Sequence, residues 1–140
     1  GRIDAPIGRH PVRRKQMSTR SRSGRKALTC FKVLRRFGQG ISLLRLNLHT
    51  GRTHQIRVHL ASIGCPILGD RTYGVGLGWL KKGSGPLKGL VLRQMLHAES
   101  ISFFHPDTDV EMTFRAEPAA DMTRVLEALE RDEVNSPGSP

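Results

Sequence analysis

Five residues within eight positions carry the densest chemistry in this sequence: Arg52, His54, Gln55, Arg57 and His59, in the run "TGRTHQIRVHL" (50–60). Residues 48–74 read as a strand, a tight Gly turn, a helix and a Pro/Gly-bounded loop. Ile56, Leu60 and Ile63 fall at i, i+4 and i+7, and Gly64 stands where a glycine ends a helix, so a short helix is predicted over 53–64. At roughly 100° per residue, Arg57 lies about 90° from the centre of that apolar stripe. A guanidinium at such a boundary can be half buried against a carboxylate. By spacing alone, an arginine running along the domain edge with its head in water is the simpler reading. Thr50, Gly51, Arg52 and Thr53 could present backbone N–H groups to a phosphate at the helix start.

Other constellations lead to less. The six histidines suggest no metal site, because His54 and His59 are five apart rather than four and no cysteine or acidic ligand accompanies them. Packing or RNA contact is the expectation for both. Gly74, Gly76 and Gly78 with Trp79 lack the strand and the Lys-Ser/Thr of a phosphate loop, so residues 74–89 are expected to form a mobile loop. Cys30 and Cys65 fit a reducing, cytoplasmic compartment and are expected to be small buried apolar residues.

The 140 residues suit one domain with a real core, and 37% are hydrophobic. No apolar run approaches bilayer length, so no membrane span is expected. Charge is unevenly placed. Residues 1–36 hold 12 Lys/Arg against Asp4 alone, 37–96 hold 8 against Asp70 alone, and 97–140 hold 3 against 10 acids. One face should therefore attract a polyanion, and nucleic acid is the leading candidate. A solubilising basic arm fits the composition as well. With aromatic residues at 5%, an extended base-stacking platform is not expected.

Elements must position these groups. Residues 1–26 are Pro/Gly/Ser/Arg-rich without period and read as a basic loop or arm. "ALTCFKVLRRF" (27–37) and "ISLLRLNLHT" (41–50), separated by Gly38 and Gly40, read as an antiparallel hairpin, with Leu44, Leu46 and Leu48 on its buried side. "LHAESISFFH" (96–105) and "DVEMTFRA" (109–116) read as two more strands joined at His105–Pro106–Asp107. "DMTRVLEALERD" (121–132) reads as an amphipathic helix with Met122, Val125, Leu126 and Leu129 inward and Asp121 as N-cap. Residues 133–140 read as a disordered tail. The fold class is α+β: a mainly antiparallel sheet with two helices.

The segment "LHTGRTHQIRVHLASIGCPILGDRTYG" (48–74) resembles the third motif of the RluA/RluD-type RNA pseudouridine synthases. "PIGRHPVRRKQM" (6–17) is similar to that family's basic loop, "GRKALTCFKVL" (24–34) to its following strand, "RQMLHAESISFFHP" (93–106) to its late strand and "PAADM" (118–122) to the opening of its last helix. The resemblance covers residues 1–132 in the family's order. It implies the C-terminal half of a pseudouridine synthase catalytic domain, an isomerase that converts uridine to pseudouridine in ribosomal or transfer RNA. It also implies a role for Arg57, as partner of a catalytic aspartate.

The family's aspartate belongs to a His-Arg-Leu-Asp motif, and its active-site tyrosine follows a little further on. Both precede the part matched here, so this chain is expected to be a fragment without the catalytic aspartate, inactive alone. Its opening on Gly1 rather than Met fits that expectation. Arg2–Ile3–Asp4 imitates the motif, but Asp4 stands two residues before "PIGRHP" and is not assigned as nucleophile. Tyr73 belongs to another motif and is expected to pack. Arg9, His10, Arg13, Arg14, Lys15, Arg52, Thr53, His54 and Gln55 are the expected RNA contacts, with a solvated charge run as the competing reading for 13–15. No metal or organic cofactor is expected, and the partner is RNA, bound by a monomer. The rival from another class is a catalytically inactive basic RNA-binding module. If the parent sheet continues beyond this chain, the exposed edge predicts marginal folding of the chain alone.

Overall fold

A computed structural model of the chain describes residues 1–37, 40–74 and 85–135. Its elements in chain order are β1 (Arg2–Asp4), β2 (Gly8–Arg9), β3 (Met17–Ser18), β4 (Leu28–Phe37), β5 (Ile41–Leu48), α1 (Gln55–Ser62), β6 (Ser100–Phe104), β7 (Glu111–Arg115) and α2 (Ala120–Asn135). Three antiparallel units result: a sheet in the order β1-β4-β5 and the hairpins β2-β3 and β6-β7. The predicted α+β class and both helices are present. Among the described residues, no helix is long and apolar enough to cross a membrane.

The central hairpin serves two helices because one irregularity turns its first strand over. From Thr29 to Val33, β4 pairs Thr29 with Leu48, Phe31 with Leu46 and Val33 with Leu44. The register then shifts between Val33 and Arg35, so that Arg35 faces Leu43 and Phe37 faces Ile41. An extra residue on one strand of a pair bends it and exchanges the faces that its side chains occupy. Phe31, Leu44 and Leu46 therefore pack with Leu60 and Ile56 of α1. Phe37, Ile41 and Leu43 pack with Val125 and Leu129 of α2. The adjacent pair Leu43-Leu44, which breaks simple alternation, is the trace of this device in the sequence. Leu48, expected on the buried side, is exposed, as is Val33.

The amino-terminal arm is more ordered than its composition suggests. β1 pairs with β4, placing Ile3 beside Thr29. Ile7 exchanges both backbone hydrogen bonds with Arg25 at 2.9 Å. Ile3 and Ile7 are core residues. Strands of two or three residues have no readable period, and these exist only because β4 and α1 supply partners and apolar cover.

Helix α1 also departs from its predicted stripe. Its buried residues are Gln55, Val58, His59 and Leu60, while Ile63 is 46% exposed. The helix ends at Ser62, and Gly64 takes the left-handed conformation (φ 77°) expected of a C′ glycine. The inward face holds two polar side chains that hydropathy does not count.

Further corrections are local. Asp121 lies inside the first turn of α2 rather than at its cap; its carboxylate takes Arg93 Nε at 2.6 Å and Nη2 at 2.8 Å. Leu87, within the expected mobile loop, is buried under α2, and residues 75–84 of that expectation lie outside the described residues. The same holds for Gly38 of the predicted turn and for 136–140 of the tail, whereas 133–135, expected in that tail, continue α2. Cys65 is exposed and Cys30 half-buried, not the buried pair expected. The hairpin β6-β7 forms where predicted but leaves Ile101, Phe103, Phe104 and Phe114 exposed.

Two glycines separate conformational need from spatial need. Gly64 has open space around its missing side chain, whereas a Cβ on Gly69 (φ 78°) would meet the Arg93 carbonyl oxygen at 2.0 Å. Gly64→Ala should cost about 1 kcal/mol, the usual strain of a left-handed alanine. Gly69→Ala should cost at least about 3 kcal/mol, because backbone must move as well. Urea denaturation of both variants checks this, and equal losses would contradict the close approach.

Candidate functional site

The run that drew attention in the sequence is assembled around a buried amide. Gln55 is 3% exposed, and its amide is fully used. Nε2 donates to the Leu28 carbonyl at 3.1 Å and to Thr29 Oγ1 at 3.0 Å. Oε1 accepts from Thr50 Oγ1 at 2.8 Å and from the Arg52 N–H at 3.0 Å. Thr50 Oγ1 in turn accepts the Leu28 N–H at 3.1 Å. One side chain thus joins the start of β4, the turn after β5 and the start of α1. Gln55 is not a free RNA contact, which corrects the expectation for that residue.

His59 continues the network one turn along. Its Nε2 lies 2.9 Å from the Ala5 carbonyl, which can only accept, so Nε2 carries a hydrogen. Nδ1 is left to accept from Thr29 Oγ1 at 2.9 Å. Both ring nitrogens and the Thr29 hydroxyl are occupied in a fully buried place. That positive arrangement agrees with the packing role expected of His59, and the described residues contain no cluster of three metal-ligating side chains.

Arg57 turns out to have a partner within the chain. Its Nε donates to Asp70 Oδ2 at 2.7 Å and its Nη2 to Asp70 Oδ1 at 2.8 Å. The Asp70 side chain has no exposed surface, and that of Arg57 keeps 16%. The Thr72 and Tyr73 N–H groups also donate to Asp70 Oδ1, at 2.9 and 3.0 Å. Gly69, pressed against Arg93, brings Asp70 to this spot. Burial alone would push the Asp70 carboxyl up; the hydrogen bonds from Arg57 and from the Tyr73 and Thr72 amides outweigh it and hold the group below the usual carboxylate range. The Asp70 hydrogen bond likewise holds the Arg57 guanidinium above its ordinary value against the opposing effect of burial. Among the described residues, Arg57 Nη1 has no hydrogen-bond partner, so one edge of the fork remains available to a second anion.

Tyr73 packs, as expected, and does more. Its ring lies 4.9 Å from the Arg57 guanidinium carbon, a cation–π contact. Its hydroxyl accepts the Met17 N–H at 3.0 Å and stands 3.0 Å from His54 Nδ1. His54 itself precedes α1 in a left-handed conformation, φ 55°, with no side-chain cap bond. Tyr73 thus ties the basic arm, the start of α1 and Arg57 together.

The remaining expected contacts divide by place. Arg9, Arg13, Arg14 and Lys15 are exposed at the β2-β3 hairpin, where His10 Nδ1 accepts the Val12 and Arg13 N–H groups and shapes the turn. Thr53 and His54 are exposed, and Arg52 Nε donates to the Lys26 carbonyl at 3.2 Å. Asp4 is exposed and paired with Arg2 at 2.7 Å. Asp70 was not among the expected site residues. The signal was present: Asp70 is the sole acid among eight Lys/Arg in residues 37–96.

Residues 1–62 match the family model described as RNA pseudouridylate synthase. The chain is 46% identical over 134 residues to an uncharacterized RNA pseudouridine synthase of Aquifex aeolicus, covering 93% of this chain and 40% of the relative. It is 41% identical over 136 residues to ribosomal large subunit pseudouridine synthase D of Vibrio vulnificus, covering 94% and 41%. Its fold matches the solved human RNA pseudouridylate synthase domain containing 1 with a TM-score of 0.64 and 26% identity, over 93% of this chain and 59% of that one. The chain therefore spans 40–41% of the length of the two curated relatives.

Two stability measurements test this geometry. Gln55→Leu should destabilise by about 2–4 kcal/mol in urea, since it strands donors and acceptors on β4 and on the turn after β5; a loss under about 1 kcal/mol would contradict the network. The depressed Asp70 carboxyl contributes stability that is complete above about pH 4, where an unfolded aspartate is ionised, and that drains as pH falls through the lower folded value. Asp70→Asn should flatten this acid dependence, and an unchanged pH profile would show that the pair carries no linkage.

Proposed function

Because the chain belongs to the RNA pseudouridylate synthase family, we propose that it supplies the arginine side of the active site of an RluA/RluD-type enzyme. That enzyme isomerises uridine to pseudouridine in RNA. The observation that carries this reading is Arg57: a half-buried guanidinium, oriented through Nε and Nη2, with Nη1 still available. A nucleophilic carboxylate entering a partly dry pocket would rise in pKa and take up a proton. Arg57 keeps it ionised and aimed. In this reading the nucleophile comes from a His-Arg-Leu-Asp motif upstream of the matched residues; Asp4, exposed and bound to Arg2, does not serve.

The reaction needs no co-reactant. The carboxylate attacks ribose carbon 1 of the flipped-out nucleoside as the bond to ring nitrogen 1 breaks, the base rotates, and carbon 5 bonds to the ribose as the carboxylate leaves it. Carbon 5 loses a proton and nitrogen 1 gains one. Flipping requires a grip on the flanking strand, and the exposed Arg9, Arg13, Arg14 and Lys15 provide it as phosphate contacts. Large-subunit ribosomal RNA is the favoured substrate, from the printed names of relatives such as that of Vibrio vulnificus. Transfer RNA is the alternative.

Pseudouridine formation on ribosomal and transfer RNA tests this, with this chain set beside the longest product of its reading frame. Activity is expected in the longer product only, and Arg57→Ala should lower it by at least roughly 100-fold. Activity in the chain alone would mean that one of its own carboxylates is the nucleophile. RNA binding without isomerisation in either form would favour the inactive RNA-binding module. Replacing Arg13, Arg14 and Lys15 by Gln should reduce the slope of log affinity against log salt by about 2–3, at roughly 0.7–0.9 per lost phosphate contact. An unchanged slope would remove the hairpin from the interface.

A further inference from the structure

We propose that the Tyr73 hydroxyl is a positioning group for the reaction: it sets the basic β2-β3 hairpin in register with Arg57, so that phosphates gripped by the hairpin bring the flipped uridine to the arginine. This coupling rests on the roles given above to Arg57 and to the hairpin, and goes beyond them by naming what joins the two.

The hairpin has little else to fix its place. Its strands are two residues each. Among the described residues, those from His10 to Gln16 form hydrogen bonds only with one another. His10 N–H donates to the Gln16 carbonyl, Arg14 N–H to that of Val12 and Gln16 N–H to that of Arg13, while His10 Nδ1 accepts the Val12 and Arg13 N–H groups. A tip bonded only to itself can swing about its base, and each swing displaces the exposed Arg13, Arg14 and Lys15 that it carries. Tyr73 acts at that base: its hydroxyl accepts the Met17 N–H at 3.0 Å, across 56 positions of sequence. Met17 also packs, with the Tyr73 ring, against the cluster of Ile7, Ala27 and Val58. Apolar packing keeps Met17 near α1 without direction; the hydrogen bond supplies the direction.

Tyr73 is itself held at the arginine. Its N–H donates to Asp70 Oδ1 at 3.0 Å, and its ring lies 4.9 Å from the Arg57 guanidinium carbon. The same hydroxyl stands 3.0 Å from Nδ1 of His54, whose ring meets the Tyr73 ring edge-on at 5.7 Å. His54 is left-handed, φ 55°, with no side-chain cap bond. Such strain persists only where the surroundings fix it, and Tyr73 is the side-chain partner that does so. One oxygen therefore meets the base of the hairpin and the entry to α1, three residues before Arg57. Phenylalanine would serve the ring contacts as well, so the hydroxyl carries the coupling. Binding energy from remote parts of a substrate raises turnover only when it is used to place the reacting atoms.

The test uses the longest product of the reading frame, with kcat and KM measured on the ribosomal or transfer RNA transcript that it isomerises and thermal melts recorded for every variant. Tyr73→Phe keeps the ring and removes the hydroxyl. It should lower kcat by roughly 10- to 100-fold, the scale of loss for a displaced reacting group, while KM stays within about twofold. Replacing Arg13, Arg14 and Lys15 by Gln should lower kcat as well as raise KM, since remote binding energy then no longer reaches the reacting centre. In the Tyr73→Phe background the same three changes should still raise KM but lower kcat no further, a non-additivity that a packing role would not produce. Losses in kcat that multiply overturn the inference. So does Tyr73→Phe with near-normal kcat, or altered in KM alone, beside an impaired Arg57→Ala. Normal activity in Arg57→Ala overturns the reading of Arg57, and an unchanged salt dependence in the hairpin variant overturns that of the hairpin; either takes this inference with it. Should Tyr73→Phe fail to fold, amide hydrogen exchange in the unaltered protein decides. Binding of the RNA transcript should slow exchange of the Met17 N–H by at least roughly 10-fold, because a coupled hairpin stiffens at its base when its cations are held; unchanged exchange overturns the proposal.

Discussion

A carboxylate with no access to water must have its charge met by the protein, and much of this fold is arranged around meeting that of Asp70. Arg57 supplies two donors and the backbone at Thr72 and Tyr73 supplies two more. That requirement places the loop after α1 beside the helix, forces Gly69 against the Arg93 backbone, and sets the Tyr73 ring on the guanidinium. From Tyr73 the constraint passes to Met17 and so to the basic hairpin. The arm that carries the exposed cations and the arginine proposed to serve catalysis are therefore one connected structure.

The scaffold behind this site is economical with its central hairpin. One shift of register in β4 lets α1 cover Phe31, Leu44 and Leu46 on one face and α2 cover Phe37, Ile41 and Leu43 on the other. The helix that carries Arg57 is only eight residues long, too short to be stable alone. It is held by tertiary bonds instead: the amide of Gln55 to the start of β4 and to the turn after β5, and the ring of His59 to Thr29 and Ala5. Polar residues do here what an apolar stripe does in a longer helix, and their fixed geometry specifies position as well as burial.

Charge and site reinforce each other in function. In the proposed function, the basic surface draws RNA phosphates by a long-range, salt-sensitive attraction. The local pair of Arg57 and Asp70 is nearly neutral and acts only at contact. A bare arginine in a pocket could bind any phosphate that reached it, whereas an arginine already engaged on one edge favours an anion correctly placed on the other.

How much of this was legible beforehand follows from the range of the forces involved. Period, local backbone preference and composition were enough for the hairpin of β4 and β5, the existence of α2 with its Val125 and Leu129 face, the stop at Gly64 and the uneven charge. The quoted motifs also sufficed for the family and for interest in Arg57. Folding was needed to reveal Asp70, thirteen residues on, as the partner of Arg57, and Gln55 as a buried staple rather than an RNA contact. Ile63 likewise faces water despite its place in the stripe. Pairing between polar groups is directional and long-range in sequence, so it leaves no period to read. It appears only when the folded chain brings donors, acceptors and a water-free space together.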